Sequence, residues 1–153
     1  MVAGEPAPSP EAQTEQLFMN KNPYVSWKDE YSVGNNVLDA QHQAMFRLLN
    51  DLHEALEEGK SDKPVEALVE EAIQYAAIHF RTEERLMTES GYPNLEQHKQ
   101  THQEYVRRVD EIRRSAEADA PYVLFLFLKD WWLNHVTQMD SDYAPSLKKI
   151  PKP

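Results

Sequence analysis

Histidine and carboxylate side chains interrupt the apolar stripes of four amphipathic segments in this sequence. Such groups are costly to bury unless a partner satisfies them, so aliphatic residues normally fill these positions. Two pairs, His79 with Glu83 and His98 with His102, have a spacing of four, so each pair shares one face of a helix. The full set is His42, His79, Glu83, His98, His102, His135 and Asp140. These residue types at this spacing predict a metal site inside a helical protein.

The elements that must position these side chains are amphipathic helices. The first is predicted near residues 37–58, where apolar residues recur at spacings of three and four before Gly59. The second is started by Ser61 or Asp62 and stopped by Gly91. Both predicted helices contain ligand-type residues within their apolar stripes, so the side chains of the predicted metal site lie on these helices.

Two further stripes follow, over residues 95–112 and from about residue 121 to 139. Helices joined by short connections run antiparallel to their sequence neighbours. The predicted fold is therefore all-α, an antiparallel up-down-up-down four-helix bundle of helices about 22 to 29 residues long, with an extended N-terminal arm over residues 24–36. Residues 1–20 are small, polar and proline-containing, which predicts a disordered tail before a bundle domain over residues 21–153.

The direction of each helix brings the seven side chains to one end of the bundle. They lie near the start of the first and third helices and near the end of the second and fourth. At ~1.5 Å rise per residue, all seven fall within about 10–20 Å of the same end. Five imidazoles and two carboxylates exceed the four ligands of one tetrahedral zinc ion, which favours two ions bridged by the carboxylates. Thiolate-free, nitrogen-rich ligation suits iron, while zinc and manganese remain open.

The spacing of His135 and Asp140 does not fit an ideal α-helix. Residues five apart point about 140° away from each other around the helix axis. A π-bulge would bring both side chains onto one side. The sequence thus predicts a π-bulge or a similar distortion near residues 136–140.

Composition restricts the classes of partner. The formal net charge of −10 opposes binding to nucleic acid or to an anionic membrane surface. No apolar run approaches the ~20 residues of a membrane-spanning helix, so membrane insertion is not expected. The absence of cysteine and of a secretory signal favours a cytoplasmic location.

Four ordered motifs resemble the hemerythrin family, and in particular its single-domain bacterial members. They are VGNNVLDAQH ending at residue 42, HFRTE at 79–83, HKQTH at 98–102 and HVTQMD at 135–140, and the resemblance covers residues 27–147. It implies that His98, His102 and His135 bind one iron ion. His42 and His79 would bind the other, and Glu83, Asp140 and an oxo or hydroxo group would bridge the two.

The resemblance also implies a function. The iron with two histidines would keep an open coordination position where O2 binds reversibly, so the expected role is oxygen storage, transport or delivery in a bacterial cell, by a monomer that is not an enzyme. Residues close to the ligands in sequence are expected to wall this position: Phe46, Phe80, Trp131, Trp132 and Val136. Plain core packing explains each of these equally well. Trp132 departs from the family, which commonly has leucine there, and this puts the size of the pocket in doubt.

Two other functions use the same metal pair. The first is a di-iron enzyme, such as a peroxidase or a nitric oxide-handling protein. The second is a sensor of oxygen or iron that reports to a partner. Stable oxygenated spectra, as opposed to rapid turnover with peroxide, separate the carrier from the enzyme.

Overall fold

The computed structural model describes residues 24–58, 63–148 and 150, and within them every regular element is helical. A 3-10 turn, Asp29–Tyr31, precedes five α-helices, the last two separated by a π-helical segment, His135–Met139. The α-helices are α1 Asn36–Glu58, α2 Val65–Ser90, α3 Leu95–Arg114, α4 Ala120–Asn134 and α5 Asp140–Leu147. Because α4, the π segment and α5 follow one another directly, they form the fourth long helix of a bundle. The predicted all-α four-helix architecture is confirmed.

The boundaries of the helices follow from local chemistry. The Asn35 side chain accepts hydrogen bonds from the backbone N–H groups of Val37 and Leu38, both at 3.1 Å, and so caps α1. Helix α2 ends before Gly91, which has a φ of 68°, a left-handed conformation that glycine adopts without steric cost. The predicted starting residues of α2, at 61 and 62, lie outside the described residues, as does the predicted tail over residues 1–20. Helix α3 has 20 residues, slightly fewer than predicted, because the chain turns at Ala116, whose φ is 52°.

Two hydrophobic clusters stabilise the bundle. The larger, the main core, fills the middle and the end where α1 finishes, and it includes Leu49, Leu68, Phe125 and Trp132. The smaller, the end cluster, closes the opposite end and consists of Val33, Leu38, Leu86, Met87, Tyr143 and Leu147. On α1, α2 and α5 the ligand-type residues lie in sequence between members of these clusters, or directly beside them. The polar site is therefore a layer between two apolar regions.

The N-terminal arm lies against α1. The Asn50 side chain accepts a hydrogen bond from the Val25 N–H at 2.8 Å and donates one to the Val25 carbonyl at 2.9 Å. Tyr24 stacks on His53 with ring centroids 4.2 Å apart, which gives the sixth histidine a structural contact away from the ligand set. Trp27 packs edge-on against Phe46, 6.1 Å between ring centroids. The predicted arm is present, with a 3-10 turn at Asp29–Tyr31 and bends at residues 24, 25 and 34.

The paired hydrogen bonds of Asn50 give a test of how the arm is held. We expect Asn50→Ala to lower the free energy of unfolding by about 1–3 kcal/mol, because it leaves the N–H and the carbonyl of buried Val25 without partners. Urea denaturation monitored by tryptophan fluorescence measures this change. Asn50→Asp keeps the acceptor and loses the donor, so its loss should be smaller. Equal stability of wild type and Asn50→Ala would show that the arm is not held by this residue.

No helix in the described part of the chain is both long enough and apolar enough to cross a membrane.

Candidate metal centre

The structure brings all seven ligand-type side chains together. Their donor atoms form two groups, and within each group they lie within 4.8 Å of one another. The first group is His42, His79, His135 and Asp140, and the second is Glu83, His98, His102 and His135. Six of the seven residues are at most 3% exposed, and the seventh, His98, is 6% exposed. His135 belongs to both groups, so the site is one connected cluster.

Glu83 on α2 lies at the centre of this cluster. Its Oε2 is 3.2 Å from the Nε2 atoms of His79, His102 and His135. Its Oε1 is 3.0 Å from the Nε2 of His98. The carboxylate thus faces histidines from α2, α3 and the fourth helix at the same time.

Asp140, the first residue of α5, approaches from another direction. Its Oδ2 is 2.7 Å from the Nε2 of His42, and its Oδ1 is 3.0 Å from the Nε2 of His135. The distance from Oδ1 to the Nε2 of His98 is 3.8 Å. Both carboxylates therefore contact histidines of both sets that the family resemblance implies.

The π segment makes the position of Asp140 possible. The Asp140 N–H donates to the carbonyl of His135, the bond from residue i+5 to residue i that defines a π-helix. This widened turn places the His135 imidazole and the Asp140 carboxylate 3.0 Å apart, although their spacing would separate them on an α-helix. The predicted distortion near residues 136–140 is confirmed, and it begins one residue earlier, at His135.

The polar atoms at the centre fit a bound cation. Buried atoms without a hydrogen-bond partner are otherwise rare in folded proteins. Here they include Oε1 of Glu83, both carboxylate oxygens of Asp140 and the Nε2 atoms of His98 and His102. Imidazole nitrogen and carboxylate oxygen are ligands that iron, zinc and manganese accept. The donor set thus has the chemistry and the unsatisfied valences of a metal site.

Burial determines the protonation of these groups. It lowers the pKa of His42 well below the usual value and lowers the pKa of His135 to about 4, so both rings are neutral and can act as ligands. Burial alone would raise the pKa of Glu83, but the imidazoles of His135, His102 and His79 that face its carboxylate hold it well below its usual value. Burial and the negative charge of Glu83 raise the pKa of Asp140. A cation between the two carboxylates would remove this repulsion.

Two residues that the sequence reasoning did not single out orient the histidine rings. The Nδ1 of His102 lies 2.8 Å from Oε1 of Glu84 on α2. The Nδ1 of His79 lies 2.8 Å from Oε1 of Gln41 on α1. Metal-bound histidines usually donate their second ring N–H to such a partner. Each of the two is adjacent in sequence to a ligand-type residue, and that adjacency is the signal that could have identified them.

The five predicted pocket-wall residues take different positions. Phe80 stacks on His102 at 3.9 Å between ring centroids, and Trp131 stacks on His135 at 4.5 Å. Trp132 is fully buried, and its ring centroid lies 5.4 Å from that of His79. Val136 is buried in the main core beside His135, and Phe46 is buried there against the arm. Aromatic rings therefore surround the histidines, while a role for these residues in holding O2 stays a prediction.

Burial of neutral histidines predicts acid sensitivity of the metal-free protein. His135 has a pKa of about 4 when folded and 6.5 in its usual state, so the unfolded chain binds more protons between these values. The stability that neutral His135 contributes is therefore fully present above pH 6.5. As the pH falls from 6.5 toward 4, protonation lowers the free energy of unfolding by about 3 kcal/mol in all. His42 acts in the same direction and Asp140, whose pKa is raised, acts in the opposite one.

We therefore expect a net loss of stability on acidification that is smaller than the sum of the histidine contributions. Urea denaturation of the metal-free protein at pH 7 and pH 5 measures it. A protein that became more stable at pH 5 would show that Asp140 dominates the linkage.

Comparison with known proteins agrees with this geometry. A family model described as the hemerythrin HHE cation binding domain matches residues 33–147. The bacteriohemerythrin of Pseudomonas aeruginosa (strain LESB58) is 32% identical over 127 residues, which cover 82% of each chain. That of Stenotrophomonas maltophilia (strain R551-3) is 35% identical over 124 residues, 80% of each chain.

Solved structures give the same relationship. A crystal structure of wild-type hemerythrin superposes on the chain with a TM-score of 0.69 and 26% sequence identity, covering 81% of this chain and 98% of the other. Residues 33–147, which the family model matches, contain all seven ligand-type residues. On the family model and these relatives together, the chain belongs to the hemerythrin family.

Proposed function

We propose that this protein holds two iron ions and binds O2 reversibly, as an oxygen store, carrier or donor in the cytoplasm of a bacterial cell. In this proposal it is a monomer and an oxygen carrier, not an enzyme. Membership of the hemerythrin family and the bacteriohemerythrin relatives support the proposal. The buried cluster of imidazoles and carboxylates supports the metal pair.

The observation that carries the proposal is the position of the two carboxylates. Glu83 contacts His79 on one side and His98 and His102 on the other. Asp140 contacts His42 and also lies 3.8 Å from His98. A carboxylate between two histidine sets is positioned to bridge two ions, and one ion would leave several of these donors unused.

The division of the histidines is unequal. Following the family motifs, His98, His102 and His135 would hold one ion, and His42 and His79 the other. The ion with fewer histidines would have one coordination position free for a small ligand. The metal pair, when bound, supplies reversible electron transfer to O2 at that position.

The chain's own residues protect this chemistry. Phe80, Trp131 and Trp132 lie against the imidazole rings and reduce the access of water. Gln41 and Glu84 accept hydrogen bonds from the outer nitrogens of His79 and His102 and so fix the orientation of both rings. Aromatic rings thus flank the imidazoles of His79, His102 and His135, and two of these imidazoles are held in a fixed orientation.

An optical titration tests the proposal. Protein loaded with iron and reduced without oxygen is recorded before O2 is admitted, after it is admitted, and after it is removed. We expect a visible charge-transfer band that appears with O2 and disappears on deoxygenation, with two iron ions per chain. Direct passage to an oxidised spectrum that deoxygenation does not reverse would refute the carrier function and favour an oxidising di-iron enzyme.

Two histidine variants make this titration specific. His42→Ala removes a donor of the proposed open ion and should abolish the reversible band. His53→Ala, at the histidine that stacks on Tyr24 outside the cluster, should retain it. Loss of the band in both variants would indicate that the spectrum does not report on the proposed site.

A further inference from the structure

We infer that Glu84 and Gln41 make the two metal positions electronically unequal, with Glu84 strengthening electron donation at the three-histidine position. The inference rests on the proposed di-iron function and assigns these two residues a positioning and tuning role. Neither residue is a ligand in the proposed site. Each acts through the histidine to which it is hydrogen-bonded.

The contact of Glu84 is charged. Its Oε1 lies 2.8 Å from the Nδ1 of His102, whose Nε2 faces the central carboxylate of Glu83. The Glu84 side chain is 29% exposed and that of His102 only 3%, so the hydrogen bond lies at the border between the site and solvent. Phe80 stacks on the His102 ring with 3.9 Å between centroids and so restricts its tilt. His102 is therefore held between a carboxylate and the metal centre.

The corresponding contact at the other position is neutral. The Nδ1 of His79 lies 2.8 Å from the amide oxygen of Gln41. The Gln41 amide nitrogen donates in turn to Oγ1 of Thr82 at 3.3 Å, which fixes the amide with its oxygen toward the imidazole. The two contacts have the same length and the same acceptor atom type. They differ in charge.

This difference has an electronic consequence. An imidazole whose outer N–H donates to a carboxylate becomes a more basic ligand than one that donates to an amide. A more basic ligand stabilises the higher oxidation state of its metal ion. We therefore expect the three-histidine position to favour the ferric state more than its neighbour does, which leaves the two-histidine position as the one that responds to exogenous ligands.

Reciprocal substitutions test the charge without removing the hydrogen bond. Glu84→Gln keeps an acceptor oxygen and loses the charge, and Gln41→Glu adds a charge at the other position. The measurement is the oxidation equilibrium of the iron-loaded protein against redox dyes under argon, which needs no O2 binding. We expect Glu84→Gln to shift the equilibrium about tenfold toward the ferrous form, or about 59 mV for a one-electron step.

Gln41→Glu should shift the equilibrium by a similar factor in the opposite direction, and the double variant should return to within about threefold of wild type. Glu89→Gln is the matched control, because it removes a charge from the exposed end of the same helix, where Glu89 pairs with Arg85. It should leave the equilibrium unchanged. Circular dichroism and iron content establish that each variant is folded and loaded.

The outcomes separate the two proposals. Shifts below about threefold in both single variants, with two iron ions bound, would overturn this inference and leave the oxygen-carrier function intact. A wild-type protein that takes up no iron pair would instead refute the proposed function. If Glu84→Gln lost iron, Glu84→Asp should recover it, and failure of this charged variant would also overturn the inference.

Discussion

Glu83→Gln is expected to remove the protein's ability to hold two metal ions. The wild-type carboxylate lies 3.0–3.2 Å from the Nε2 atoms of four histidines, and the change replaces one of its oxygens with a nitrogen that carries protons. The amide nitrogen cannot bind a cation, so the side chain keeps one donor oxygen and can no longer offer one oxygen to each of two ions. We expect metal affinity to fall by at least about 100-fold. Loss of a residue that only hydrogen-bonds to a ligand lowers metal affinity by about 10- to 100-fold, and loss of a ligand should cost more. Iron content after gel filtration, and titration with Co²⁺, measure the loss.

The stability of the metal-free variant distinguishes lost ligation from lost folding. Because its neighbours hold the pKa of Glu83 below the usual value, the fold favours the charged carboxylate, and the neutral isostere should make the metal-free protein less stable than wild type while leaving it folded. Glu89→Gln, on the exposed end of the same helix, should keep both ions. Retention of two ions per chain in Glu83→Gln would remove Glu83 from the ligand set.

Trp132→Ala should cause the largest loss of stability among the aromatic variants near the site. Trp132 is fully buried, stacks near Phe80 and donates from Nε1 to the hydroxyl of Tyr105 at 3.1 Å. Truncation leaves a large cavity and an unsatisfied buried hydroxyl, which together cost about 3–5 kcal/mol. The midpoint of thermal unfolding of the iron-loaded protein should therefore fall by about 6–20 °C.

A leucine at the same position separates stability from oxygen chemistry. Trp132→Leu keeps part of the apolar volume, so its loss of stability should be smaller than that of Trp132→Ala. The space that it opens beside His79 should admit water, and oxidation of the ferrous protein in air should become faster than in wild type. Unchanged stability of Trp132→Ala would mean that the indole does not support the core.

The fold was predictable because its signals are periodic. Stripes at spacings of three and four identify the helices, and Gly91 marks the end of α2 by well-defined local chemistry. Even the π segment was predictable, since a spacing of five between His135 and Asp140 is compatible with one shared site only if the helix is distorted. Alternating helix direction then predicts that the ligand-type residues lie together.

Contacts between helices were less predictable. The bonds from Gln41 to His79 and from Glu84 to His102 depend on how far neighbouring helices rotate about their axes and on side-chain rotamers. The arm contact through Asn50 has the same origin, because no periodic pattern relates Val25 to a residue 25 positions later. Phe46 was expected at the pocket wall, and its ring packs edge-on against Trp27 and Tyr31 of the arm. Its effect on O2 stays a prediction.

The π segment also corrects the rotational phase of the fourth helix. In an uninterrupted α-helix, the side chains of Leu124 and Leu147 would point about 140° apart around the axis. The wider turn absorbs one residue, about 100° of rotation, and returns both leucines to nearly the same side. Leu124 can then belong to the main core while Tyr143 and Leu147 complete the end cluster. One backbone irregularity thus links the orientation of Asp140 to the closure of the bundle, so neither can change without the other.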